Sequence, residues 1–125
     1  MNNMINDWAP EVKDLLTALT AAGFTLRKGD NGEDKFNFEE GKLDSFIENL
    51  IACDESRLYV TDPSGNKRWL YLVLGNSPGE LVADYSCPAD DKATDHIDPV
   101  TDAHYEKWSA LPQPRKVNPY VRPTE

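Results

Sequence analysis

His96 and His104 are the only histidines, and Asp91, Asp95, Asp98 and Asp102 surround them. Imidazole with carboxylate is a ligand set for zinc or a non-haem metal. The spacing matches no metal signature, however. The two histidines are eight residues apart, with Pro99 between them, so they do not share one helical face. The segment reads as a solvated acidic loop, and no metal or other cofactor is expected. Asp30 to Glu40 lacks the glycine and ligand spacing of a calcium loop. Gly29 to Gly32 matches no phosphate-binding pattern, and Asp30, Glu33 and Asp34 would repel a phosphate.

Nucleophilic catalysis needs a base beside the nucleophile. Cys87 is near His96 in sequence, but Pro88 and Asp90 intervene and no glycine-rich elbow is present. Cys53 and Cys87 are the only cysteines and have no metal-ligand spacing. Free thiols in a reducing compartment are the expectation, with Cys53 as a small apolar filler. Asp84, Asp90 and Asp91 could form a general acid/base pair in a cleft, but carboxylates are too plentiful for one pair to stand out.

The most distinctive stretch runs from Glu80 to Glu106. It holds Glu80, Asp84, Asp90, Asp91, Asp95, Asp98, Asp102 and Glu106, offset only by Lys92. Tyr105 and Trp108 lie at its end. A negative field beside aromatic anchors suits an interface for a basic protein surface. The expected partner-binding set is Asp84, Asp90, Asp91, Asp95, Asp98, Asp102, Tyr105 and Trp108.

The whole chain points the same way. Its 125 residues carry 13 Lys and Arg against 22 Asp and Glu, a formal net charge of −9. Direct nucleic-acid binding is disfavoured, because a duplex-binding surface needs Lys and Arg to replace condensed counterions. Anionic membrane surfaces are disfavoured on the same ground. The N-terminus has no basic region followed by an apolar core, and no apolar run reaches the roughly 20 residues of a membrane helix. A cytoplasmic protein is expected. Nothing in the sequence fixes its oligomeric state.

The elements that must position these residues follow from periodicity. Residues 8–22 read as a helix, with Val12, Leu15, Leu16 and Leu19 on one stripe, Pro10 in the first turn and Gly23 at the end. Glu11 and Asp14 are assigned to the positive end of its dipole. Phe24 and Leu26, then Phe36 and Phe38, alternate across the polar turn Gly29 to Asp34 and predict a small hairpin. Residues 41–53 predict a second helix on Leu43, Phe46, Ile47 and Leu50. Residues 57–74 predict two strands around the Asp62–Asn66 turn, and Trp69–Leu74 reads as the central strand. Ser77 to Glu80 could cap a helix, but Leu81–Tyr85 reads better as a further strand. A short helix capped by Thr101 or Asp102 would carry His104, Tyr105 and Trp108, with Pro88 and Pro99 as breakers before it.

The expected fold is therefore α+β. A small, mostly antiparallel sheet packs against two amphipathic helices in one domain over residues 1–111. Residues 112–125, with four prolines and little apolar content, predict a flexible, disordered tail. The expected function is that of an acidic, non-enzymatic accessory protein that binds a basic protein partner. One version is a nucleic-acid mimic that presents carboxylates in place of phosphates. The alternative is a small acid/base or metal-assisted hydrolase.

Overall fold

A computed structural model describes residues 8–74, 79–86 and 96–110. The chain order is α1 (Ala9–Ala21), β1 (Thr25–Asp30), β2 (Lys35–Asn37), α2 (Leu43–Leu50), β3 (Glu55–Thr61), β4 (Lys67–Val73), β5 (Val82–Tyr85) and α3 (Ile97–Ser109). The strands form one sheet in the order β2-β1-β3-β4-β5, and every pairing is antiparallel.

Strand alternation divides the sheet into two unlike faces. Ser56, Leu58 and Val60 of β3 and Arg68, Leu70 and Leu72 of β4 are buried. Leu58, Val60, Leu70 and Leu72 meet Val12, Leu15, Leu16 and Leu19 from α1, Phe46, Ile47 and Leu50 from α2, and Ile97 and Val100 from α3 in a single core. The alternate residues Arg57, Tyr59, Trp69, Tyr71 and Val73 are exposed or half-buried. No helix among the described residues covers that second face.

The α+β class, the β1–β2 hairpin, the turn at Asp62–Asn66 and the strand at Val82–Tyr85 agree with the sequence expectation. Four details differ. Three helices pack on the sheet, not two. The third begins at Ile97 rather than at Thr101 or Asp102, because Pro99 sits in its first turn, where a missing N–H removes no helical bond. Its inward residues Ile97, Val100 and His104 then fall at three- and four-residue spacing. The second helix is shorter than 41–53, so Cys53 lies beyond its end and is only half-buried. The middle strand is β3, with β4 beside it, since β1 rather than β2 pairs with β3.

Two local devices hold the hairpins. Pairing between β1 and β3 slips between Leu26 and Lys28, a bulge that lets both Leu26 and Gly29 face the core. At Gly29 a Cβ would lie 2.5 Å from the Phe36 ring, so glycine there makes room for that ring. Phe36 and Phe38 each pack edge-on against Phe46 of α2, with centroids 5.3 Å apart. In the β3–β4 turn, Asp62 Oδ1 accepts the N–H groups of Ser64 and Asn66 at 2.9 Å. Asp62 Oδ2 takes Arg68 NH1 at 3.3 Å, and both side chains are 1% exposed. Arg68 also donates to the hydroxyl and carbonyl oxygens of Ser86, tying β5 to the same node.

Candidate functional site

α3 carries the acids that the structure brings together. Asp98, Asp102 and Glu106 are exposed and four residues apart, so they form one ridge. Tyr105 lies on the same side, 50% exposed, and is the one large apolar side chain that stands clear of the surface among the described residues. The Tyr85 hydroxyl donates to Asp98 Oδ1 and braces the first turn of the ridge against β5.

The opposite side of α3 faces α1. His104 Nε2–H donates to Glu11 Oε2 at 2.7 Å, with side chains 2% and 0% exposed. The Gly79 N–H reaches the same oxygen at 3.0 Å. Gly79 has φ +91°, and a Cβ there would lie 3.0 Å from Tyr105 O and Ser109 N. Glycine is therefore required for the chain to pass under α3. One turn along, Trp108 Nε1–H donates to Asp14 Oδ2 at 2.8 Å and Lys107 Nζ donates to Asp14 Oδ1 at 3.0 Å. Partial burial alone would raise the Asp14 carboxyl. The bonds from Trp108 and Lys107 and the Lys107 charge outweigh it and hold that carboxyl below its ordinary value.

The expected partner-binding set is thus divided. Asp98, Asp102 and Tyr105 share the ridge. Asp84 is exposed on β5 opposite Tyr71, on the uncovered face of the sheet. Trp108 is half-buried and turned toward Asp14. Asp90, Asp91 and Asp95 lie outside the described residues. Glu106 joins the ridge although the sequence reading left it out of the set.

Catalytic chemistry finds less support. Burial, and then the negative charges of Glu33, Asp54 and Asp34, push the Cys53 thiol up, which disfavours the reactive thiolate. Among the described residues no group of three or more His, Cys, Asp and Glu is placed to hold a metal ion. His96 Nε2 lies 3.2 Å from Ser64 Oγ, and His104 is engaged with Glu11. No helix among the described residues is long and apolar enough to cross a membrane.

Glu11, Asp62, Arg68 and His104 are ionisable residues whose burial sequence reasoning missed, and His104 is buried rather than part of a solvated acidic loop. Glu11 and Arg68 had a phase signal. Glu11 precedes Leu15 by four on the inward stripe of α1, and Arg68 shares the alternation phase of Leu70 and Leu72.

Comparison of the chain with protein-family models, with curated proteins and with solved structures returns no match.

Proposed function

We propose that this protein is a non-enzymatic, cytoplasmic binding protein whose α3 ridge docks on a basic surface of a protein partner. The observation that carries the reading is the four-residue spacing of Asp98, Asp102 and Glu106 beside the exposed Tyr105 ring. Carboxylates in register along a rigid helix give a directional field that steers a cationic partner. Tyr105 supplies the apolar anchor that charge alone lacks. A partner that ordinarily binds nucleic acid would meet in this ridge a row of anions in place of phosphates.

Among the described residues the hydrolase alternative has an acid–base pair of suitable chemistry in Glu11 with His104. Their side chains are 0% and 2% exposed, so a substrate would have no access without movement of α3.

The test is affinity capture from lysate at low and high salt, comparing the wild type with the Asp98→Asn, Asp102→Asn, Glu106→Gln triple variant and with Tyr105→Ala. Association kinetics with the retained protein follow. The triple variant should stay folded and associate more slowly, with the difference shrinking as salt rises. Tyr105→Ala should mainly speed dissociation. Capture and kinetics that both variants leave unchanged would remove the ridge from the interface.

A further inference from the structure

The face of the sheet that no described helix covers is unlike the rest of this acidic molecule. Arg57 of β3 lies over two rings of β4, its Cζ 5.2 Å from the Trp69 ring centre and 5.6 Å from that of Tyr71. Lys28 of β1 lies over Tyr59, with Nζ 5.2 Å from the ring centre. Acids outnumber bases 22 to 13 in the chain, yet among the described residues no carboxylate stands within ion-pair distance of Arg57 or Lys28. The nearby acids have other work. Asp30, the register partner of Arg57, accepts the Gly32 N–H at 2.9 Å, and Glu55 accepts the Tyr71 hydroxyl at 2.5 Å.

We propose that this face is a second docking surface, and that its occupant is an extended acidic segment of a protein partner whose carboxylates are taken by Arg57 and Lys28. A guanidinium lying on aromatic rings keeps its N–H edge free to fork onto a carboxylate, and the rings limit the side-chain freedom lost when it does so. Lys28 pairs with Tyr59 and Asp30 with Arg57, so the two cations spring from diagonal neighbours on adjacent strands, whose Cα atoms are roughly 7–8 Å apart. Same-side side chains of an extended chain recur about every 7 Å, so carboxylates at alternate positions reach both. The rings of Tyr59, Trp69 and Tyr71 give the intervening stem an apolar floor.

A single-stranded nucleic acid fits less well. Asp30, Asp84 and Glu55 occupy the same face, and a backbone with a charge at every nucleotide cannot step past them. The net charge of −9 also repels a polyanion more than a short acidic peptide. The proposal involves none of the α3 ridge residues, so either surface can fail without the other.

The experiment is a nuclear magnetic resonance titration of the full chain, labelled with 15N, with the capped hexapeptide Glu-Ser-Glu-Ser-Glu-Ser. A ten-nucleotide oligo-dT titration and a dilution series of the protein alone run in parallel. The Trp69 indole and Arg57 Nε resonances should move with the peptide. Arg57→Gln should weaken binding about fivefold, the upper range for an exposed charge contact. Arg57→Lys should weaken it as well, since it keeps the charge but loses the planar fork. Lys13→Gln, on α1, should leave the affinity unchanged, and circular dichroism should show every variant folded. Resonances unmoved at millimolar peptide would overturn the proposal. So would an affinity equal to wild type in both Arg57 variants, a face that responds to oligo-dT and not to peptide, or shifts on dilution that assign the face to a second copy of the chain.

Discussion

Glu11 and His104 stand 93 positions apart in sequence and meet through a 2.7 Å hydrogen bond that solvent scarcely reaches. This contact, with the Gly79 N–H on the same carboxylate oxygen, joins α1, α3 and the chain entering β5. Glu11→Ala would strand two buried donors, each at about 1–3 kcal/mol. The expected result is a urea midpoint well below wild type. A double-mutant cycle with His104→Ala should give a loss smaller than the sum of the two single losses.

Gly79→Ala tests the same junction from the backbone. The left-handed φ of +91° and the 3.0 Å approaches to Tyr105 and Ser109 both oppose a side chain. A loss of about 1–3 kcal/mol is expected from the strained conformation alone. It should come with faster amide exchange along α3 relative to β3.

Leu16 and Ile47 place the core on a quantitative footing. They are 0% and 4% exposed and come from different helices. Replacing either by Ala should cost about 2–5 kcal/mol in a urea melt. A loss below about 0.5 kcal/mol for both would contradict a shared core, being the size of an ordinary surface substitution.

Acid should act in part through Asp62. Burial alone would raise its carboxyl, but hydrogen bonds from Asn66, Arg68 and Ser64 and the Arg68 charge hold it below the ordinary 3.8. A depressed folded value means that this stabilisation is present above the unfolded value and lost as pH falls through the folded one. Asp62→Asn should therefore lower stability at pH 7 by about 1–3 kcal/mol, as a charge-assisted contact to Arg68 becomes a neutral one. Its stability should also fall less steeply than wild type below about pH 4. Thermal melts between pH 2 and pH 7 would read both effects.

Much of this architecture was legible in periodicity. The stripe at Val12, Leu15, Leu16 and Leu19 and the alternation at Leu58, Val60, Leu70 and Leu72 are local patterns, and local patterns report which face is inward. What escaped depends on partners distant in sequence. A carboxylate in a first helical turn has a sufficient local explanation in the helix dipole, so Glu11 gave no cause to look for His104. Pro99 was read as a breaker because nothing local distinguishes a first-turn proline from one that ends a segment. Of the proposed binding residues, Asp98, Asp102 and Tyr105 could be grouped once a helix was drawn through them. The Arg57, Trp69 and Tyr71 cluster could not, because it exists only after β3 and β4 pair in their observed register.

The β3–β4–β5 meander joins strands that follow one another along the chain, whereas α1 finds α3 only across nearly its whole length. Closing so long a loop is entropically the more demanding step, and contacts between sequence-distant segments form late. During synthesis, α1 therefore emerges with Glu11 lacking its imidazole partner until the chain has been extended through His104. The sheet can assemble in a chain that lacks α3, but the seam between the first and last helices cannot. A chain truncated before α3 should accordingly be a markedly better protease substrate at α1 than the full chain.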